Sequence, residues 1–226
     1  SNAYAREYLV SFEAAAEDQL ISLSLAREAA KRATSEYEQR GLPRVIGVDV
    51  ARFGDDATVI CRRWGNLLYS PVVLRGSDLM RTAGIVAEQI ASFRPDAVFV
   101  DDGGLGGGVT DRVRQLGHKV IAVNFGSAPR DERYRNLRTQ MWFEMRDWLR
   151  SGGCIPQDEA LLRDLCAPRY EFRDGADKIA LESKDSIKRR GLPSPDLGDA
   201  LAVTFAFPVR SREAREELFL RRPRRE

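Results

Sequence analysis

The chain has 226 residues, 43% of them hydrophobic, enough for one compact domain with attachments and a real core. Lys and Arg number 36 against 34 Asp and Glu, and the resulting net charge of +2 excludes a disordered acidic or basic tail protein and a histone-like coat of positive charge. The single histidine, His118, excludes a histidine-rich zinc site and a two-histidine facial triad, so a catalytic metal here must be held mainly by carboxylates, whose hard oxygens select Mg2+ or Mn2+.

Ser1-Asn2-Ala3 reads as an expression scar, and residues 4–43 as a helical connector rather than core, rich in Ala, Glu, Arg and Leu and ended by Gly41 and Pro43. The apolar run Val45–Val50 is predicted to be a central strand covered on both faces. Ala57–Trp64 and Leu67–Leu74 follow as strands joined by a Gly65-Asn66 hairpin turn, so the sheet opens with three antiparallel strands. Helical spacing over Asp78–Phe93, a strand at Asp96–Asp101, a glycine-rich turn (Gly103–Gly108) into a helix at Val109–Leu116, and a strand at Lys119–Asn124 complete the first half. A strong helix is predicted at Arg135–Arg150 and a shorter one over 158–166. A hairpin of Arg169–Phe172 and Lys178–Glu182 turns at Asp174-Gly175, and a last helix spans Asp196–Phe207. The order predicts an α/β fold: a mixed sheet with antiparallel first strands and parallel later ones, flanked by helices. The tail 209–226 is basic and expected to be mobile, with seven arginines against four glutamates from residue 210 on. Cys61, Cys154 and Cys166 lack metal or redox spacing and read as reduced, buried thiols. No apolar run reaches the roughly 18 residues a membrane span needs, and no secretory signal is visible.

The informative acids are those at strand ends. Asp49 lies in a buried-type strand, where a carboxylate costs several kcal/mol unless paired or bound to a metal. Asp101 ends another such strand, with Asp102 after it. Asp196 and Asp199 are one helical turn apart and share a face. Taken singly, each has a plain structural reading as a cap or an arginine partner. Together they fall where an α/β sheet gathers functional groups, at the carboxyl ends of its strands. Three or four converging carboxylates can hold two divalent cations about 3.5–4 Å apart, one activating water and the other stabilising the leaving 3′-oxygen of a phosphodiester.

At these residues the chain resembles a known family. Val45-Ile46-Gly47-Val48-Asp49-Val50-Ala51-Arg52-Phe53-Gly54-Asp55-Asp56-Ala57-Thr58-Val59 is similar to the first acidic motif of the nuclease domain of phage large terminases. Val98-Phe99-Val100-Asp101-Asp102-Gly103-Gly104-Leu105-Gly106 resembles the second. Leu181-Glu182-Ser183-Lys184, through Ser194-Pro195-Asp196-Leu197-Gly198-Asp199-Ala200-Leu201, resembles the third. The D-x-x-D-A ending is also similar to RuvC-type junction resolvases of the same RNase H-like superfamily. The resemblance covers residues 44–208 and implies an RNase H-like nuclease domain that cuts concatemeric viral double-stranded DNA during packaging with two Mg2+ or Mn2+ ions. It carries over Asp49, Asp101, Asp196 and Asp199 as catalytic metal ligands, with Asp102 as a further ligand candidate. It implies as partners the ATPase domain of the same protein, the portal and the small terminase subunit, in the cytoplasm of the infected or lysogenic bacterial host. No G-x-x-x-x-G-K-[ST] occurs, so no ATPase activity is expected and residues 4–43 read as the connector from a missing motor domain.

Two basic clusters are predicted to hold DNA phosphates: Arg130 and Arg133, with Arg135 and Arg138, around one helix start, and Lys184, Lys188, Arg189 and Arg190 before the third motif. Trp142, Phe143 and Trp148 read as core rather than stacking platforms. The competing readings are a junction resolvase or transposase-type nuclease, and a non-catalytic docking domain of the packaging motor.

Overall fold

Strand β1 (Arg44–Asp49) is the centre of the molecule, as its unbroken apolar run predicts. It pairs antiparallel with β2 (Thr58–Trp64) and parallel with β5 (Ala97–Asp101). Strands β3 (Leu67–Leu68) and β4 (Val72–Leu74) both pair antiparallel with β2, and β6 (Ile121–Val123) runs parallel to β5. The sheet order is β3-β2-β1-β5-β6. This computed structural model describes residues 18–51, 57–173 and 178–215. The expression scar, the Arg52–Asp56 part of the first motif, the Asp174-Gly175 turn and residues 216–226 lie outside the described residues. The predicted strand Leu67–Leu74 is split in two around Ser70-Pro71, because proline has no N–H for the ladder.

Side chains alternate across a strand, and the alternation divides the core. Ile46, Val48, Val98 and Val100 pack under α2 (Leu79–Phe93) and α3 (Gly106–Gln115). Val45 and Phe99, on the opposite face, pack under α1 (Leu23–Lys31), α4 (Leu137–Arg150), α5 (Glu159–Cys166) and α7 (Asp196–Ala202). Between α5 and α7 lie a hairpin of β7 (Tyr170–Arg173) and β8 (Lys178–Leu181) and the short helix α6 (Lys184–Arg189). The antiparallel first strands, parallel later strands and helices on both faces make the mixed, RNase H-like α/β sheet expected from the sequence. Among the described residues no helix is long and apolar enough to cross a membrane.

Several boundaries differ from expectation for identifiable reasons. Residues 23–31 are helical, but 32–43 are not, and Ile21, Leu23, Ala26 and Ala29 are buried in the main core instead of forming a bare connector. Helix α3 begins within the glycine run, at Gly106, which sits against the Asp101 carbonyl where a Cβ would come within 1.7 Å of the oxygen. The last helix ends at Ala202 and tightens into a 3-10 turn at Val203–Phe205. The start of the tail is docked rather than mobile: Arg212 N and Arg215 Nη2 donate to Asp96 Oδ1 at 2.8 and 3.0 Å. The three cysteines are free and buried, and Trp142 and Phe143 are core, as expected.

One glycine controls how close α7 comes to the sheet. A Cβ on Gly47 of β1 would lie 2.3 Å from the Ala200 carbonyl and 2.7 Å from Thr204 Cγ2. Backbone cannot yield as a side-chain tip does. Gly47→Ala is therefore expected to cost about 2–3 kcal/mol by overpacking. At about 2–4 °C per kcal/mol for a chain of this size, the melting temperature should fall by about 5–10 °C. Thermal denaturation checks this, and an unchanged Tm would refute the close approach.

Candidate active site

Asp49 and Asp101 occupy the last positions of the two neighbouring parallel strands β1 and β5. Val48 pairs with Val100, one residue before each acid, so the two carboxylates stand side by side. By the alternation they share the face of Gly47 and Phe99, which is the face α7 covers. Asp49 is 3% exposed and Asp101 8%. Asp102, the next residue, is exposed and does not line the cavity formed by the described residues.

Helix α7 brings the other two acids, and the structure gives them different surroundings. Asp196 Oδ2 accepts from Ala57 N at 3.0 Å, and its side chain is 13% exposed. Asp199 is fully buried, with both oxygens engaged. Oδ1 accepts from Arg138 Nε at 2.9 Å and Trp142 Nε1 at 2.7 Å, and Oδ2 accepts from Arg138 Nη2 at 3.3 Å. Arg138 and Trp142 are four residues apart on α4 and so present one face to Asp199. That i, i+4 spacing was the signal by which the sequence could have revealed them as partners of the site.

Lys184, the first residue of α6, puts its ammonium among the acids. Nζ is 3.0 Å from Asp49 Oδ2, 3.1 Å from Asp199 Oδ2 and 3.6 Å from Asp196 Oδ1. Among the described residues no three acids form a metal cage by themselves; three of them surround this cation instead.

The electrostatics follow from burial and neighbours. Burial pushes the Asp49 carboxyl up to about 8; Lys184 opposes the rise, and Asp199, Asp101 and Asp196 add to it. Burial also raises Asp101, against the hydrogen bond its Oδ1 accepts from Gly103 N at 3.0 Å. Asp199 is equally buried, yet the Arg138 and Lys184 charges hold it below the usual carboxylate range. Lys184 is held charged, its burial outweighed by Asp199, Asp49 and Asp196. The neighbours of Asp199 thus favour its ionised form, whereas burial favours the protonated forms of Asp49 and Asp101 at the strand ends.

The acids open on a cavity of about 1090 Å3. Asp49, Asp101 and Asp196 line it together with the basic residues Arg135, Arg169, Lys188, Arg189 and Arg190 and the further acids Asp18, Glu171, Glu182 and Asp185. Of the predicted phosphate contacts, Lys184, Lys188, Arg189 and Arg190 reach the cavity, as do Arg135 and Arg138 of the other cluster. Arg130 and Arg133 do not line it; they pair with Glu144 and Asp131 at 2.7 and 2.6 Å. Arg138 faces inward, to Asp199 and the Glu182 carbonyl.

No family model matches the chain, and no curated protein matches it either. Solved structures do. The nuclease domain of the large terminase subunit gp2 of bacterial virus Sf6 superposes with a TM-score of 0.71 at 21% identity, over 84% of this chain and 99% of that one. A lysine-to-alanine mutant of that domain, solved with manganese and beta-thujaplicinol, gives 0.71 at 20% identity, with the same coverage. The large terminase nuclease from thermophilic phage G20c with bound magnesium gives 0.62 at 13% identity, over 84% of this chain and 98% of that one. At these identities the likeness is one of fold, and it extends across nearly the whole of each neighbour. The chain has the RNase H-like fold of the phage large-terminase nuclease domains.

Proposed function

We propose that this chain is a metal-dependent endonuclease that cuts concatemeric double-stranded viral DNA during genome packaging. The observation that carries the reading is the convergence of Asp49, Asp101 and Asp196, from two strand ends and a facing helix, on a cavity whose lining also includes Arg135, Arg169, Lys188, Arg189 and Arg190. The structural neighbours that hold manganese or magnesium support it.

The donor set suits a hard divalent ion. It consists of carboxylate oxygens that already stabilise positive charge at their centre, in the form of the Lys184 ammonium. Asp49, Asp101 and Asp196 would hold the ions. Asp199, saturated by Arg138 and Trp142, fixes the negative charge behind them and keeps Lys184 in place. When bound, two Mg2+ or Mn2+ ions supply Lewis acidity at the attacking water and at the leaving 3′-oxygen. Lys188 and Arg189 hold backbone phosphates against the acids, a contact that is blind to sequence. Lys184 neutralises the acid cluster until metal and DNA arrive.

Residues 44–208 form the catalytic unit in this reading, with α1 packed into its core. Residues 4–43 join it to an ATPase domain of the same protein, and the portal and small terminase subunit are partners in the cytoplasm of the bacterial host. A plasmid assay tests the reading. Supercoiled DNA should be nicked and linearised with Mn2+ or Mg2+ and left intact with EDTA; no cleavage with any divalent ion would leave a non-catalytic docking domain. Faster cutting of four-way junctions than of linear duplex would favour a resolvase.

Binding of the ion should also depend on pH. Below about 8 the proton on Asp49 competes with it, so Mn2+ affinity should rise with pH up to about 8 and level off above. Titration calorimetry in buffers of different ionisation enthalpy should show proton release on binding. Affinity independent of pH between 6 and 9 would remove Asp49 from the site.

A further inference from the structure

Helix α7 carries Asp196 yet lacks a cap of its own. Its N-cap is Pro195, which contributes no side-chain acceptor. The first intrahelical bond runs from Asp199 N to Pro195 O at 2.8 Å, which leaves the earlier N–H groups of the helix needing partners from elsewhere. For Leu197 that partner comes from a different helix. Asp164 of α5 presents Oδ2 to Leu197 N at 2.8 Å, in a bond that is buried at both ends. Asp164 is 7% exposed. Gly198 in the same turn lets α7 close onto α4, since a Cβ there would lie 2.5 Å from the Trp142 ring, while the Asp164 carbonyl, at 3.5 Å, stays in ordinary contact.

Asp196 is therefore held from two sides. Its carboxylate is fixed by Ala57 N and the peptide group that follows it by Asp164, so Oδ1 is turned toward Lys184 and the cluster. Taking both restraints together, we propose that Asp164 is a positioning residue for the metal site: a cap supplied in trans by α5 that sets the orientation of Asp196 and through it the affinity for the divalent ion. This rests on the reading of Asp196 as a metal ligand. Nothing in the α5 sequence marks Asp164 out; it lies in the last turn of an ordinary amphipathic helix, and only the packing of α5 on α7 gives it this task.

The test separates positioning from simple stabilisation. Burial pushes Asp164 up to about 7, and asparagine copies the shape of the neutral acid and keeps the acceptor oxygen. Mn2+ affinity is measured by titration calorimetry well below the melting temperature on the wild type, Asp164→Asn and Asp164→Ala. Loss of an outer-shell partner typically weakens metal binding about 10–100-fold. Asp164→Ala should fall in that range, with faster hydrogen exchange at the Leu197 amide, while Asp164→Asn stays within about threefold of wild type on the same scale. Asp164→Ser, too short to reach Leu197, takes the place of Asp164→Ala if the latter does not fold. Equal Mn2+ affinity in wild type and truncated variants would overturn the proposal even if their melting temperatures differ. Failure of the wild type itself to bind Mn2+ would instead overturn the reading of the site, and the cap proposal with it.

Discussion

Asp49→Asn and Asp101→Asn should each lower Mn2+-dependent plasmid nicking by about three orders of magnitude or more, with the fold intact. Each replacement keeps the side-chain shape and removes one anionic oxygen from a site whose task is to stabilise positive charge. Metal-assisted charge stabilisation is worth several kcal/mol, and each ~1.4 kcal/mol is tenfold in rate. The fold should survive because both carboxyls are costly to ionise where they stand. Burial raises both, Asp49 up to about 8, so the neutral amide relieves a penalty. The sign can be checked through stability. A carboxyl raised in the folded state favours folding at low pH, and that contribution is lost as pH climbs from the ordinary carboxylate range to about 8. At pH 8.5 without metal, Asp49→Asn should therefore melt no lower than wild type. Asp199→Asn should behave differently. Asp199 is held below the usual range by Arg138 and Lys184, so losing its charge strands two cations and lowers the Tm. Undiminished nicking in Asp49→Asn would sink the proposed site.

Lys184→Ala is expected to make the metal-free protein markedly less stable and more dependent on Mn2+. The ammonium lies within 3.0–3.6 Å of three carboxylates, and its removal leaves Asp49, Asp196 and Asp199 facing one another. Breaking a fully buried pair costs about 3–5 kcal/mol. The Lys184 side chain is 32% exposed, so solvent screening brings the expectation down to about 2–3 kcal/mol. That corresponds to about 5–10 °C in Tm for a chain of this length. Lys184 has a raised pKa in the fold, so its contribution is complete below the normal lysine range and is lost only as pH rises through and above it. The deficit is thus fully present at pH 7–8.5. A divalent ion that binds the folded state adds stability by mass action. Millimolar Mn2+ should therefore raise the Tm of Lys184→Ala by more than it raises that of wild type. Differential scanning calorimetry with EDTA and with Mn2+ decides the point; equal Mn2+ increments in the two proteins would show that Lys184 and the ion do not share a place.

Much of this architecture was legible from residue order. The unbroken apolar run at Val45–Val50 marked the central strand, Gly65-Asn66 marked the first turn, and the acid at the end of each neighbouring strand marked the face where chemistry belongs. Period-two alternation then suffices to place Asp49 and Asp101 on one side and Asp102 on the other. Helix α6 was missed, because six residues rich in lysine and arginine show no apolar period. So was the core role of α1, whose small alanines give a weak periodic signal although Ala26 and Ala29 are wholly buried.

By itself, then, the sequence determined the fold class, the central strands and the strand-end positions of Asp49 and Asp101, because those depend on local periodicity and on residue type. The division of labour among the acids was decided only in three dimensions. Asp196 and Asp199 look equivalent on one helical turn, yet Asp199 meets Arg138 and Trp142 from α4 while Asp196 meets, among the described residues, a backbone amide and Lys184. Likewise Arg130 and Arg138 look alike in one basic cluster, but one pairs at the surface with Glu144 and the other is buried against Asp199. The physical reason is common to both cases. Whether a charge is spent on a neighbour or left open toward a cavity depends on contacts between side chains that lie 14 positions apart for Arg130 and Glu144 and 61 apart for Arg138 and Asp199, and only packing brings those together.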